Sequence, residues 1–202
     1  MSLDRPPSAL PGVRFGAVPR HADVRGSFRE LWRAPRPEGP GSTRAGAVGA
    51  SEPEPFSPYV QANLSTSAAG VLRGLHVHRQ QLDHWVVLSG RAFVGLVDVR
   101  PMLAGTAVGP TVETRELRAD DWLVIPEGVA HGFLALEPLE LLYLVTNWYD
   151  GTDELGFAWD DPAVGVAWPA ISMTADGRPI VSERDASNPP LADLVARIRA
   201  ES

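Results

Sequence analysis

Two residue types are missing from this chain of 202 residues, which contains no cysteine and no lysine. Without thiols the protein can form neither a disulfide framework nor a thiolate nucleophile, and thiolate-ligated zinc is excluded as well. All 18 basic side chains are therefore arginines. No Schiff base can form on an ε-amino group, and no ammonium group can stabilise an oxyanion.

The chain also lacks long apolar runs. No segment approaches the roughly 18 consecutive apolar residues of a membrane span, and the N-terminus shows no apolar segment typical of a secretion signal. A net charge of −7 argues against a nucleic-acid partner, because phosphate binding normally shows as an excess of basic residues. We therefore expect a cytoplasmic protein with neither a membrane nor a nucleic acid as partner. At this length the default is one domain, 1–202.

Short strands dominate the middle of the chain. Segments such as "HWVVLS", "RAFVGLVDV" and "DWLVIP" are rich in β-branched and aromatic residues and are separated by turn residues, which is typical of an all-β barrel or sandwich. Ser89 and Gly90 predict a tight hairpin between two of these strands. Residues 34–58, rich in Pro, Gly and Ser, predict a long loop. One short C-terminal helix is predicted by four apolar residues at helical spacing, which are Leu191, Leu194, Val195 and Ile198.

Histidine is concentrated in one short stretch. Three of the five histidines lie in "GLHVHRQQLDHW", residues 74–85. His76 and His78 are two residues apart, so in a strand both side chains project from the same face. Imidazoles that line a barrel interior are costly to bury unless each nitrogen has a partner, which indicates a functional role for this pair. The spacing alone leaves a metal site and a proton-transfer site open.

Two separate segments together resemble the two-part signature of the cupin superfamily. The matching residues are Gly70, His76, His78, Asp83 and Gly90, followed by Pro126, Gly128 and His131. The resemblance implies an all-β fold, the cupin double-stranded β-helix or jelly roll, with the short C-terminal helix added to it and the site in the mouth of the barrel. It also implies one alternative function, a metal-dependent isomerase, cyclase or oxygenase of natural-product metabolism. Its divalent transition metal would be ligated by His76, His78, Asp83 and His131.

The chain also resembles a narrower family, the dTDP-4-dehydrorhamnose 3,5-epimerases and related nucleotide-sugar epimerases. The likeness rests on seven segments in the same order, "DVRGSFRE", "QANLSTSAAGVLRGLH", "GRAFVGLVDVR", "IPEGVAHGF", "LLYLVTNWYD", "WDDPAVGVAWP" and "VSERD". It implies an epimerase that removes a proton α to the 4-keto group of a dTDP-4-keto-6-deoxyhexose and returns one from the opposite face, at C3, C5 or both. It further implies a homodimer with N-terminal strands packed across the interface, and no cofactor.

The resemblance implies roles for individual residues. His76 is implied to be the base, Asp185 the carboxylate that orients it, and Tyr143 the acid that reprotonates the sugar from the other face. Inversion at such a carbon requires a base with a pKa near neutrality and a proton donor across the ring. Arg73 and Arg25 are implied to bind the diphosphate, for which guanidinium groups are well suited. The remaining positions implied to line the substrate pocket are Glu30, Phe28, Gln61, Asn63, His131 and Tyr149.

Two positions depart from the epimerase pattern. Asp83 stands where the family has a lysine beside the developing enolate, and His78 stands where it commonly has a glutamine. A carboxylate about 4 Å from an enolate oxygen would cost on the order of 4 kcal/mol at an effective dielectric constant of about 20. Both departures introduce residues of the metal-cupin pattern. However, an imidazole nitrogen that ligates a metal cannot act as a base.

The retained Tyr143, Asp185 and Arg73 favour the epimerase interpretation. We therefore expect proton exchange that needs no cofactor and survives EDTA, and little bound metal after purification. A metal-dependent cupin enzyme and a non-catalytic sugar-nucleotide binder remain as alternatives. Elemental analysis separates the first alternative from the epimerase, and a binder would not exchange substrate protons with solvent.

Overall fold

The computed structural model describes residues 6–34, 59–170 and 177–201. Apart from its first residue, the loop predicted over 34–58 lies outside the described residues. The described ranges contain twelve strands and three short helices. No helix among them is long and apolar enough to cross a membrane.

The strands predicted from the middle of the chain are all present. In chain order the strands are β1 (Arg14–Ala17), β2 (Arg20–Asp23), β3 (Gly26–Arg29), β4 (Gln61–Ser67), β5 (Leu72–Val77), β6 (Asp83–Ser89), β7 (Arg91–Asp98), β8 (Thr111–Arg118), β9 (Asp121–Ile125), β10 (Val129–Ala135), β11 (Leu139–Val145) and β12 (Leu155–Gly156). The helices are α1 (Arg100–Leu103), α2 (Glu183–Ala186) and α3 (Leu191–Glu201).

Two five-stranded sheets form the barrel, in the orders β1-β9-β6-β11-β4 and β12-β5-β10-β7-β8. Apolar side chains of both sheets share one buried core, in which Trp85 and Val87 of β6 cluster with Val94 and Leu96 of β7. Burying one such aliphatic side chain is worth about 1.5–3 kcal/mol, so this core supplies much of the driving force for folding. The predicted all-β jelly roll is confirmed.

The hairpin predicted at Ser89 and Gly90 is wrong, although the tight turn is present. Gly90 has a φ of +82°, which favours glycine. A Cβ at this position would lie 2.1 Å from the carbonyl oxygen of Pro138. The flanking strands β6 and β7 belong to different sheets, so the turn carries the chain from one sheet to the other. Alternating side chains identify a strand, but they do not identify its partner.

Helix α3 confirms the predicted C-terminal amphipathic helix. Its buried side chains belong to one apolar cluster with Leu75 and Val77 of β5. The helix therefore packs against the strand that carries His76 and stabilises it. The buried helix residues are the four predicted ones, Leu191, Leu194, Val195 and Ile198.

Strands β5 and β10 approach each other closely at Gly74. A Cβ at Gly74 would lie 2.6 Å from the Cα atom of Gly132, and the backbone φ of +123° also favours glycine. The pairing of the two strands shifts register between His131 and Phe133. On the near side of this irregularity His76 pairs directly with His131, so two of the histidines meet at one end of the barrel.

Candidate active site

A cavity of about 390 Å³ lies between the two sheets. His76 stands on β5 and Tyr143 on β11, so the two residues line this cavity from different sheets. The structure thus brings together most of the residues predicted for the site. Those that line the cavity are Gln61, Asn63, Arg73, His76, His78, Asp83, His131, Tyr143 and Tyr149.

His76 is paired with the buried carboxylate of Asp185. The distance from Nε2 of His76 to Oδ1 of Asp185 is 2.7 Å, and Asp185 is 5 % exposed. An ionised carboxylate only accepts hydrogen bonds, so Nε2 carries the proton and Nδ1 is the nitrogen with a free lone pair. The other carboxylate oxygen accepts the backbone N–H of Gly74 at 3.3 Å. The pair has the arrangement of a general base and its orienting group.

The ionised state of Asp185 is favoured in the folded protein. Burial alone would raise the pKa of its carboxyl group, but the hydrogen bond and the charge of His76 and the bond from the Gly74 amide outweigh burial and lower it. Asp185 lies in the first turn of helix α2. Its backbone N–H donates to Oγ of the N-cap residue Ser182 at 3.0 Å, and this capping bond holds Asp185 in place. This short helix was not predicted from the sequence.

Tyr143 remains protonated at neutral pH. It lies on β11, in register with Trp85 of β6 and Asn63 of β4. Partial burial is the largest cause that raises the pKa of its phenol, the negative charge of Asp83 raises it further, and Arg73 opposes both. A neutral phenol on the wall across from His76 is suited to donate a proton.

Three of the four predicted metal ligands come together in the cavity wall. One ligand atom from each of His78, Asp83 and His131 lies within 4.8 Å of the other two. His76 does not belong to this group, and its Nε2 is committed to Asp185. The four ligands of the metal-dependent alternative are therefore not assembled together in this structure, since His76 lies outside the group.

Hydrogen bonds fix the side chains of this three-residue group. Asp83 accepts the side-chain N–H groups of Gln81 at 2.7 Å and Trp85 at 3.1 Å. Nδ1 of His131 donates to the carbonyl oxygen of Val129 at 3.1 Å. Burial is the largest influence on His131 and lowers its pKa, although the charge of Asp83 opposes this effect, so the ring is neutral near pH 7.

The predicted diphosphate ligand Arg73 lies at the exposed rim of the cavity. Its Nε donates to Oγ of Ser67 at 3.1 Å, and one terminal nitrogen donates to the carbonyl oxygen of Thr66 at 3.2 Å. A guanidinium group has five N–H donors, so further donors remain for an anion. On β4 of the other sheet, Nε2 of Gln61 donates to Oδ1 of Asn63 at 2.8 Å, which orders both predicted amides.

Three predicted substrate residues are not brought to the cavity of their own chain. Arg25 lies in the turn of the exposed hairpin β2–β3 and pairs with Asp23 at 2.6 Å. Phe28 is 66 % exposed on the same hairpin. Glu30 follows the hairpin and forms an ion pair with Arg33. A single barrel of this fold therefore does not contain all of the predicted binding residues.

Several cavity residues were missed by sequence reasoning. Trp85 is the last residue of the histidine stretch and resembles an ordinary core residue by its strand pattern. Asp153 and Glu154 line the cavity and lie after β11 in a segment without periodicity. This segment leads into β12, which pairs with β5. The carboxylate of Asp153 accepts the backbone N–H groups of Arg79 and Gln80, both at 2.8 Å. No local pattern signals such contacts, since they depend on where β12 pairs.

Comparisons with known proteins identify the family of this chain. Residues 7–193 match the family model described as dTDP-4-dehydrorhamnose 3,5-epimerase. The curated dTDP-4-dehydrorhamnose 3,5-epimerase of Streptomyces griseus is 32 % identical over 201 residues, which cover 95 % of this chain and 88 % of the relative. The match favours the epimerase interpretation over a metal-dependent cupin of unrelated chemistry.

Solved structures are similar over nearly the whole chain. The Mycobacterium tuberculosis rmlC epimerase has a TM-score of 0.70 at 30 % identity, with 96 % of each chain covered. The dTDP-6-deoxy-D-glucose-3,5-epimerase of Legionella pneumophila, solved in complex with dTDP-4-keto-L-rhamnose, has a TM-score of 0.73 at 26 % identity, with 95 % of this chain and 94 % of that chain covered. This chain belongs to the dTDP-4-dehydrorhamnose 3,5-epimerase family.

Proposed function

We propose that this protein epimerises a dTDP-4-keto-6-deoxyhexose at C3, C5 or both. The observation that carries the proposal is the buried pair of His76 and Asp185 in a cavity whose other wall holds the neutral phenol of Tyr143. A base on one side and an acid on the other is the arrangement that inversion requires, because one proton leaves from one face of the sugar and another arrives from the opposite face.

The proposed reaction has two proton transfers. Nδ1 of His76 takes the proton from the carbon α to the 4-keto group, and the electron pair of the broken C–H bond forms the enolate. Asp185 stabilises the imidazolium that results, since its carboxylate is already bonded to Nε2. The phenol of Tyr143 then protonates the same carbon from the other face, and solvent restores both side chains. These transfers use protein side chains alone and need no cofactor.

Substrate binding is proposed to depend on Arg73 at the rim of the cavity. No ammonium group is available in this chain, so the diphosphate must be bound by guanidinium and N–H donors. The same cavity is also lined by Gln61, Asn63 and Tyr149, which offer amide and phenol groups to the sugar or the base. The complex of the Legionella pneumophila relative with a dTDP-linked keto sugar supports a ligand of this class.

We also propose a homodimer in which each hairpin β2–β3 reaches the cavity of the partner. Arg25 and Phe28 have the chemistry expected of a phosphate ligand and a stacking surface, yet both are exposed away from the cavity of their own chain. The hairpin is anchored at its base, where Arg20 donates to Asp120 at 2.7 Å. A partner cavity would bury the exposed tip. A cytoplasmic location remains a prediction from the sequence.

One experiment tests the proposed reaction directly. The protein is incubated with dTDP-4-keto-6-deoxyglucose in D2O, and NMR records deuterium at C3 and C5 together with the configuration at both carbons. We expect enzyme-dependent deuterium incorporation at one or both positions. A protein that is stabilised by the nucleotide sugar without any exchange would be a binder, and that outcome contradicts the proposal.

A further inference from the structure

The group formed by His78, Asp83 and His131 has no role in the proposed proton transfers. The three side chains come from different parts of the barrel, since His78 follows β5, Asp83 begins β6 and His131 lies in β10. Their ligand atoms lie within 4.8 Å of one another, and all three line the cavity that also holds His76.

Both imidazoles are held with one defined nitrogen turned towards a backbone carbonyl. Nδ1 of His78 donates to the carbonyl oxygen of Asp153 at 2.7 Å, and Nδ1 of His131 donates to that of Val129 at 3.1 Å. A carbonyl only accepts hydrogen bonds, so each Nδ1 carries the proton. Each Nε2 therefore presents a lone pair. Histidines that bind metals characteristically donate their other N–H to a carbonyl or a carboxylate in this way.

The carboxylate of Asp83 has no cationic side chain to balance it among the described residues. It is 4 % exposed and accepts hydrogen bonds only from the neutral groups of Gln81 and Trp85. Its Oδ2 lies 3.6 Å from Nε2 of His131, which is too long for a hydrogen bond. A buried carboxylate without an ion-pair partner of opposite charge is costly.

We propose that His78, Asp83 and His131 bind one divalent first-row transition metal ion. Two imidazole nitrogens and one carboxylate oxygen suit Mn, Fe, Co, Ni or Zn better than Mg or Ca. Ligand atoms about 2.1 Å from one ion stand about 3.0–3.4 Å apart. The pair at 3.6 Å therefore needs little adjustment, and the widest pair must close by at most about 1.4–1.8 Å, since all three atoms lie within 4.8 Å of one another. Three protein ligands leave further coordination positions for oxygen atoms from the cavity.

A site of three residues leaves His76 free to act as a base, which a metal site of four residues including His76 would not. Metal binding by four residues would have required His76, whereas in the structure His76 keeps its pair with Asp185 while the other three form the site. An ion there would balance the charge of Asp83 and, if the proposed function holds, polarise the 4-keto oxygen beside the base. A bound ion would contradict the expectation of little metal after purification, whereas the expectation that proton exchange survives EDTA is retained.

Metal binding is tested on the full chain without a histidine tag. The protein is stripped with EDTA, the chelator is removed, and CoCl2 is titrated with visible absorption and isothermal calorimetry as readouts. We expect one equivalent of Co2+ and absorption bands of a cobalt site with nitrogen ligands. Asp83→Asn and His78→Ala should each lower the affinity for Co2+. The loss should exceed the about 10–100-fold that follows when only a hydrogen bond supporting a ligand is removed.

Two control variants make the result specific. His84→Gln removes the histidine next to Asp83 that bonds to Tyr59 instead, and it should bind Co2+ like the wild type. Asp185→Asn removes the other buried carboxylate near His76, and it should keep Co2+ binding but lose substrate proton exchange. Circular dichroism establishes that each variant is folded. Half-buried His78 is the safer site for substitution if Asp83→Asn fails to fold.

The outcomes separate this inference from the proposed function. Absence of Co2+ binding to the wild type, or binding unchanged in both His78→Ala and Asp83→Asn, would overturn the metal site. Metal-loaded protein should exchange deuterium at least about tenfold faster than stripped protein, and equal rates would overturn the role of the ion in polarising the keto group. Absence of exchange in every sample, with Co2+ still bound, would contradict only the proposed epimerase reaction.

Discussion

At the scale of single residues, the chemistry depends on which nitrogen of His76 is free. In the proposed reaction, the hydrogen bond from Nε2 to Asp185 leaves Nδ1 as the base, and the proposed acid Tyr143 stands on the other sheet. His76→Ala should abolish deuterium incorporation α to the ketone, whereas Tyr143→Phe should retain some exchange and slow inversion. NMR in D2O measures both. If His76→Ala exchanges like the wild type, the base is another group.

The pH dependence of stability provides a test of the buried pair. A carboxyl group whose pKa is lowered by folding stabilises the protein above its unfolded-state pKa, and this contribution is lost as pH falls through the folded-state pKa. The pKa of Asp185 is lowered in this way. The free energy of unfolding should therefore fall less steeply in acid for Asp185→Asn than for the wild type. Urea titrations across the acidic range measure it, and parallel curves would show that the pair contributes nothing.

Nucleotide-sugar affinity should depend strongly on one arginine. Arg73→Ala should weaken binding of the substrate nucleotide by about 1.5–3 kcal/mol, since hydrogen bonds to charged groups are the strong ones. Calorimetric titration with dTDP measures the change. Arg118→Ala removes an exposed arginine of β8 that does not line the cavity, so it is the matched control and should have no effect. Equal affinities for both variants would place the phosphates elsewhere.

At the scale of elements, α3 packs against the strand that carries His76. Leu194 is 1 % exposed and packs in the cluster that includes β5. Leu194→Ala should lower the free energy of unfolding by about 2–5 kcal/mol, because it removes buried methyl groups and leaves a cavity. Arg197→Ala on the exposed face of the same helix is the control and should change stability by less than about 0.5 kcal/mol. Similar losses in both variants would mean that the helix contributes through its own propensity rather than through packing.

At the scale of the whole molecule, the exposed hairpin predicts complementation between protomers. Arg25→Ala and His76→Ala should each be impaired as pure dimers. When the two variants are mixed and allowed to exchange subunits, each mixed dimer contains one intact site, in which His76 and the hairpin come from different chains. Random mixing should therefore restore activity to about a quarter of the wild-type value. No recovery, or a monomeric protein in light scattering, would show that the hairpin does not serve a partner.

Local patterns predicted the strands in the middle of the chain, the C-terminal helix and the clustering of His76 and His78, because side-chain periodicity and one-face projection are properties of neighbouring residues. The N-terminal strands β1 to β3 were not predicted from periodicity. The order of the resembling segments also indicated Asp185 and Tyr143. Only the tertiary structure decided which groups meet. It paired His76 with Asp185 and left His78, Asp83 and His131 as a separate set.

The same limit explains what sequence reasoning missed or placed wrongly. The turn at Gly90 joins two sheets, Arg25 and Phe28 lie off the cavity, and Asp153 reaches His78 through the pairing of β12 with β5. Each of these facts depends on strand partners far apart in the chain. Local sequence specifies which face of a strand is buried, whereas strand pairing is chosen by the packing of the whole barrel.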